Sequence, residues 1–369
     1  MKSEGVIEER NMNGYAVIMA GGKGTRFWPR SRESHPKHLL DILSPKSILR
    51  ETTDRIRSLI PPERILVVTG RLHSEKVRRD LECIPPRNIL VEPEGKNTAP
   101  CIGLAALHVR KEDPEGVMVV LSADHFIGKE ESFLNDISVA GEMAGRGPCL
   151  VALGVEPTRA ETGYGYLEVG DEVAAIRRKK IYRVKSFHEK PAAEKAREFV
   201  QNGRFFWNSG IFVWKASTIL AAIERFLPDL HEGLKEIGRV LGTPKEDDVV
   251  KDVYKGLEPI SIDHGVMEKS PDVLMLKGTF QWSDVGSWDA LWEIRGKDEW
   301  GNVVAGEIIN IRSRNSFVHS PKKLVAIVDV EDIIVVEDDD ALLVCRRGSS
   351  QRVKEVVEAL EKNELKRYL

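Results

Sequence analysis

Cysteine is scarce in this 369-residue chain, and none of it is grouped. Cys83, Cys101, Cys149 and Cys345 stand far apart, with no C-x-x-C pair. That spacing argues against a zinc site and a disulfide framework, and it fits a reducing cytoplasm. Long apolar runs are also missing. No stretch approaches the ~20 apolar residues of a membrane-spanning helix, so no membrane partner is expected. Net charge is only −3, which supplies no global basic field, and nucleic acid is not an expected partner. Residues 1–14, MKSEGVIEERNMNG, are charged, lack the apolar region of a signal peptide, and read as a short N-terminal extension.

What is present is ordinary globular material, 41% hydrophobic and 31% charged, enough for a real core. The length suits one large domain, 15–300, and a smaller one, 301–369. From Tyr15 to about Val151, apolar runs of strand length (64–69, 88–91, 117–122, 149–154) alternate with helical periodicity (47–59, 73–82, 98–111, 130–144). Such alternation predicts an α/β fold with a mostly parallel, Rossmann-like, doubly wound sheet, whose ligands sit beyond the C-terminal strand ends. Strands near 164–169, 181–188 and 210–214 and helices near 192–202, 216–226 and 246–255 extend that sheet. After Gly301 the texture changes to short strands (302–309, 316–319, 323–329, 332–336, 341–345), then a helix at 350–364. This is a small β domain without a clean hexapeptide period.

The stretch Tyr15 to Lys37 carries the strongest signal. The apolar run Ala16 to Ala20 breaks into Gly21-Gly22-Lys23-Gly24-Thr25-Arg26. Glycines allow a tight turn whose N–H groups can cradle an anion, and Lys23, Arg26 and Lys37 supply cations. It is not a P-loop, because Lys23 precedes Gly24 and no Lys-Ser or Lys-Thr step follows. It is not the dinucleotide fingerprint either, since Phe27 holds the third glycine position. A glycine-rich surface turn beside solvated cations is the bland alternative.

Further segments carry polar chemistry beside strands. Asp124 in Leu121-Ser122-Ala123-Asp124-His125 follows an apolar run, so it either meets a ligand at a strand end or caps the next helix. Asp284, in Trp282-Ser283-Asp284-Val285-Gly286-Ser287-Trp288, also suits a helix start running through Trp288 and Leu291. Phe187-His188-Glu189-Lys190-Pro191 ends a strand, and Pro191 suits a first helical turn. Asn208, in Trp207-Asn208-Ser209-Gly210, offers a donor and an acceptor, which suits a sugar diol, although this segment and the Gly163 one each read alone as a turn. Gly163 in Thr162-Gly163-Tyr164-Gly165-Tyr166 allows close backbone approach. Glu92-Pro93-Glu94-Gly95-Lys96-Asn97-Thr98-Ala99-Pro100 reads as a loop, a cap at Asn97 or Thr98, and a helix.

Together these segments resemble the sugar-1-phosphate nucleotidylyltransferase family. Gly22-x-Gly24-Thr25-Arg26, Pro29 and Pro36-Lys37 match its signature, and the aspartate, E-K-P and W-N-S-G segments match its other motifs. The stretch Glu92 to Pro100 is similar to the subgroup that uses GTP and mannose 1-phosphate. The likeness is strong over 15–300 and holds in outline over 301–369. It implies a left-handed β-helix for the small domain. It implies Mg²⁺ on Asp124 and Asp284, and catalytic roles for Arg26 and Lys37. It implies nucleotide contacts from Ala20, Gly21, Gly22, Gly24, Thr25, Arg26, Glu92, Asn97, Thr98 and Asp124. Gly163, Glu189, Asn208 and Lys190 would hold the sugar phosphate. His188, where the family more often has Val, is a neutral departure.

The expected reaction is GTP plus mannose 1-phosphate giving GDP-mannose and pyrophosphate, in a cytoplasmic homodimer. The alternatives are another sugar phosphate such as glucose 1-phosphate, another nucleotide, or a non-catalytic nucleotide-sugar sensor. Some relatives carry a C-terminal isomerase domain of the cupin type. No histidine cluster follows Gly301, so a single activity is expected.

Overall fold

The computed structural model describes residues 12–22 and 24–369. Lys23 and most of the expected N-terminal extension lie outside the described residues. The chain begins with β1 (Tyr15–Ala20), α1 (Ile48–Ile56), β2 (Ile65–Gly70), α2 (Ser74–Asp80), β3 (Ile89–Glu92) and α3 (Thr98–Glu112). Next come β4 (Val117–Ser122), β5 (Phe126–Gly128), α4 (Glu130–Arg146), β6 (Leu150–Val155), β7 (Tyr166–Ile176), β8 (Lys179–His188) and α5 (Ala193–Asn202). β9 (Phe205–Lys215) leads to α6 (Ala216–Phe226), α7 (Pro228–Val240), α8 (Glu246–Gly256), β10 (Val273–Lys277), β11 (Gln281–Ser283) and α9 (Trp288–Ile294). The last elements are β12 (Val303–Ile311), β13 (Phe317–Val328), β14 (Ile333–Glu337), β15 (Leu342–Arg346) and α10 (Val353–Lys362).

One nine-stranded sheet has the order β3-β2-β1-β4-β9-β6-β10-β8-β7. The run β3-β2-β1-β4 is parallel, as is the β6–β10 pair. β1, β2 and β4 are buried along almost their whole length, the mark of strands covered on both faces. The rest of the sheet runs antiparallel, so it is more mixed than βα alternation alone predicts. One of these pairs has a local cause, the β7–β8 turn, where Arg177 and Arg178 both take positive φ. A two-residue turn of that kind returns a strand antiparallel.

Contacts divide the described chain into two compact units that do not follow chain order. The first comprises residues up to Gly21, Thr52–Ala123 and Ile127–Trp282. The second comprises Gly22–Glu51, Asp124–Phe126 and Ser283–Leu369. The second unit therefore holds the glycine-loop flank as well as everything after Trp282.

In the first unit, Val17, Val68 and Val120 share one core with Ile102, Leu104 and Ala105 of α3 and with Ile219 and Ile223 of α6. α7 and α8 add Leu234, Ile237 and Tyr254 to it. α8 opens on Glu246, Asp247 and Asp248 and closes on Lys255, each complementing the helix dipole.

In the second unit, Phe27, Trp28, Leu40 and Ile42 pack with Val285, Trp288 and Leu291 and with Val303, Phe317 and Ile334. β12, β13 and β14 pair in parallel although they follow one another in sequence. Parallel neighbours without a crossover helix must coil, so this part is β-helix-like. Asn302 stitches one corner, donating to the Ser313 carbonyl at 3.1 Å and accepting from the Ser316 N–H at 2.9 Å. β15 turns back antiparallel on β14 and ends the coil.

Candidate active site

The second unit gathers Gly22, Gly24 and Lys37 of the glycine turn with both aspartates. Gly22 and Gly24 have φ of 97° and 61°, values that glycine adopts without strain. A Cβ on Gly24 would lie 2.5 Å from the Lys37 Cβ, so the turn itself makes room for Lys37. Lys37 is 7% exposed. Its ammonium donates to Asp124 Oδ2 at 2.8 Å and to the Asp284 carbonyl at 2.6 Å, and lies 5.6 Å from the Phe27 ring centre. One cation thus joins two aspartates 160 residues apart in sequence.

Burial alone would raise the Asp124 carboxyl. The Lys37 ammonium and the neighbouring His125 outweigh it and hold the group below its ordinary value, so Asp124 is ionised. Burial lowers His125. Val285, a buried β-branched residue, takes a positive φ of 46°. That is costly geometry, and it sits directly after Asp284. The Val285 N–H is satisfied by Ser283 Oγ at 3.1 Å. Helix α9 begins only at Trp288, so Asp284 stands ahead of the helix and does not cap it. Arg26 is exposed, and its guanidinium donates to Gln351 Oε1 at 2.8 Å.

Among the described residues, no group of three or more His, Cys, Asp or Glu forms a metal cage. Asp124 and Asp284 are nevertheless a suitable pair of hard oxygen donors. Mg²⁺ is usually held by one or two carboxylates together with substrate phosphate oxygens, so the donor chemistry fits.

A second cluster, in the first unit, gathers Glu189, Lys190 and Asn208. Lys190 Nζ donates to Glu189 Oε1 at 2.7 Å. The Asn208 N–H donates to the Gly165 carbonyl at 2.8 Å. A Cβ on Gly165 would meet the Glu189 carboxylate and the Asn208 side chain, so that glycine is needed for this close packing. Gly163 instead gives its N–H to Glu161 Oε1 at 3.1 Å. Lys190 has φ of 48°, backbone strain at the E-K-P step. His188 packs at 5.0 Å from the Phe199 ring and forms no part of the cluster.

Two residues of this cluster escaped sequence reasoning. Asp263 accepts from Asn208 Nδ2 at 2.8 Å, and Glu268 Oε1 accepts from the Glu189 N–H at 3.0 Å. Asp263 opens a π-helical turn, Asp263–Met267, and Glu268 follows it, a rare geometry that recurs at functional sites. The sequence hint was a lone acid after the apolar positions Ile260 and Ile262.

Glu92, Asn97 and Thr98 also lie in the first unit. Asn97 caps α3 from a φ of 69°, its Oδ1 accepting from the Thr98 N–H at 2.9 Å. Thr98 Oγ1 accepts from the Ile262 N–H at 2.8 Å. Glu92 ends β3 but is buried, with Tyr254 donating to its Oε1 at 3.1 Å. Burial pushes its carboxyl up to about 7. Ala20 is the last residue of β1, and exposed Gly21 follows it.

Residues 15–300 match the nucleotidyl transferase family, and 306–360 match the mannoseP isomerase/GMP-like beta-helix domain. The chain belongs to the nucleotidyl transferase family, whose members generally use a divalent metal. Within it, the chain is 38% identical to a mannose-1-phosphate guanylyltransferase of Klebsiella pneumoniae, over 95% of this chain and 75% of that protein. It is equally similar to one from Escherichia coli, with the same coverage. A crystal structure of mannose-1-phosphate geranyltransferase from Thermus thermophilus superposes with a TM-score of 0.85 at 36% identity, covering 95% of this chain and all of that one.

Proposed function

We propose that this chain transfers GMP from GTP to α-D-mannose 1-phosphate, giving GDP-mannose and pyrophosphate with Mg²⁺ as the metal. The observation that carries the proposal is the Lys37 ammonium shared between Asp124 and the Asp284 carbonyl, in a chain 35–38% identical to mannose-1-phosphate guanylyltransferases over nearly its full length.

A phosphate oxygen of the sugar phosphate attacks the α-phosphorus of GTP, and the bond to the leaving pyrophosphate breaks. The nucleophile is already ionised at neutral pH, so no general base is required. The protein positions two polyanions and offsets their charge. The N–H groups of the Gly21 to Thr25 turn receive the GTP phosphates. Arg26 stabilises the α-phosphate and the departing pyrophosphate, and Lys37 acts near the transferred phosphorus. Lys190 pairs with the sugar phosphate, while Glu189, Asn208 and the Gly163 segment meet the sugar hydroxyls. Asp124 and Asp284 would hold Mg²⁺, which, when bound, screens the phosphate oxygens. Asn97 and Thr98 form the edge that meets the base, and Glu92 backs it. The free thiols and the GTP donor suit a cytoplasmic setting.

The experiment is pyrophosphate release with Mg²⁺ and mannose 1-phosphate, offering GTP, ATP, UTP and dTTP separately. Release with GTP alone is expected. Equal release with several nucleotides would remove the guanine assignment, and none with any would refute the catalytic reading. A homodimer is also proposed, supported by exposed Ile309, Ile311, Leu324 and Leu342 on the β-helix-like part. Sedimentation showing only a 41.4 kDa species would refute it.

A further inference from the structure

The amide of Asn208 is held from both ends. Its Nδ2 donates to Asp263 Oδ1 at 2.8 Å, and its Oδ1 accepts from the Gly210 N–H at 3.1 Å. With the amide so oriented, Asn208 keeps one N–H and one lone pair for a ligand. Asp263 Oδ2 has no side-chain partner among the described residues. The Glu189 carboxylate lies close enough to act on Asp263 electrostatically. Glu189 is itself anchored at its N–H by Glu268, whose other oxygen is 2.8 Å from His264 Nδ1.

The segment that carries Asp263 and Glu268 is tied down on its other side as well. The Ile260 N–H donates to the Lys96 carbonyl at 3.1 Å, and the Ala99 N–H donates back to the Ile260 carbonyl at 3.1 Å. Thr98 Oγ1 accepts from the Ile262 N–H. Residues 260–268 therefore fasten to the Lys96–Ala99 segment and to the Glu189–Asn208 cluster at once.

Two carboxylates and an oriented amide, held on strained or π-helical backbone, form a polyhydroxyl-binding arrangement. A half-buried acceptor pair of this kind discriminates by leaving its own groups unpaired when the wrong hydroxyl pattern enters. We propose that Asp263 is the positioning residue of the sugar pocket: it fixes the Asn208 amide and, with Glu189, sets which hydroxyl pattern the pocket accepts. Burial, with Glu189 nearby, raises the Asp263 carboxyl to about 6, in keeping with a crowded pair of acids. The inference rests on the Glu189–Asn208 cluster being the sugar site.

The test compares wild type with Asp263→Ala and Asp263→Asn in the full chain. Each is assayed with whichever sugar 1-phosphate and nucleotide wild type turns over, so failure of the GTP–mannose assignment leaves this test standing. Asp263→Ala is expected to raise KM for the sugar phosphate by about tenfold or more, the scale of a lost hydrogen bond to a charged group. KM for the nucleotide should stay within about twofold, and the preference between mannose and glucose 1-phosphates should narrow. Asp263→Asn retains an acceptor oxygen for Asn208 and should recover part of the affinity but not the preference. If Asp263→Ala does not fold, Asp263→Asn alone decides through the sugar preference. Unchanged sugar KM and preference would overturn the proposal, as would equal rises in both KM values.

Discussion

Replacing Lys37 by Met removes one ammonium while keeping most of its stem. Two charge-assisted hydrogen bonds are lost, to Asp124 at 2.8 Å and to the Asp284 carbonyl at 2.6 Å. Hydrogen bonds to charged groups contribute about 1.5–3 kcal/mol each. The Asp124 side chain is 29% exposed, so water recovers part of its share and the lower figure applies. The expected loss is about 3 kcal/mol, measured by urea unfolding at pH 7 without metal or nucleotide. Lys37→Met, Asp124→Asn and the double variant should show a coupling of about 1–2 kcal/mol. The pH dependence has a definite sign. The folded Asp124 carboxyl lies below its ordinary value of 3.8, so its contribution is complete above that pH and is lost as pH falls through the folded value. The gap between wild type and Lys37→Met should therefore narrow in acid. Additivity within about 0.5 kcal/mol, with a gap constant in pH, would refute the reasoning. Turnover should fall by roughly 10²–10³, the scale of one lost transition-state donor.

Gly24→Ala places a Cβ against Lys37 at φ of 61°, so turnover should fall about 10²-fold, and Arg26→Ala should do the same through lost charge. Near-normal kcat in either would remove that residue from the phosphate site. Glu92 is raised from 4.5 to about 7. Its contribution is complete below pH 4.5 and is lost as pH rises through 7, so wild type should lose on the order of 3 kcal/mol over that range relative to Glu92→Gln. Parallel stability curves for the two would contradict this. Chelation should abolish turnover and Mg²⁺ should restore it, while the nucleotide-free urea midpoint barely moves, because no described cluster of three ligands binds metal by itself. A large midpoint shift on chelation would point to a structural metal.

Much of the fold was legible because the parallel strands are continuous apolar runs of strand length. β2, β3, β4 and β6 fall within a residue of the runs that predict them. α7 and β10 were less visible. α7 follows α6 after only Leu227 and opens on Pro228, which reads in sequence as a stop after the 216–226 pattern. β10 is only five residues long and sits between turns. The coil of β12 to β14 hides its period because the offset between facing residues changes along the strands, from Val303–Phe317 to Ile308–Val325.

The two candidate clusters were legible where their residues sit in compact motifs, as in the glycine turn and the E-K-P step. Asp263 was not, because its meaning lies in a contact with Asn208, 55 residues away. Glu92 shows the limit from the other side. Its place at a strand end is plain in sequence, but its turn toward buried Tyr254, 162 residues later, is a property of packing.

The patchwork membership of the second unit bears on how the chain is made. Trp28 and Trp288 are joined by a hydrogen bond across 260 residues, and Phe27 and Trp288 pack ring to ring at 4.9 Å. During synthesis at ~5–20 residues per second, the segment bearing Arg26 and Lys37 waits tens of seconds for its packing partners. Until residues 283–369 emerge, Phe27, Trp28 and Leu40 lack most of the core they later share. A nascent chain can pair β1 with β2 and β4 early, yet it cannot hold Lys37 between its aspartates before Asp284 is made. Truncated products are thus left without the Lys37 bridge between Asp124 and the Asp284 carbonyl.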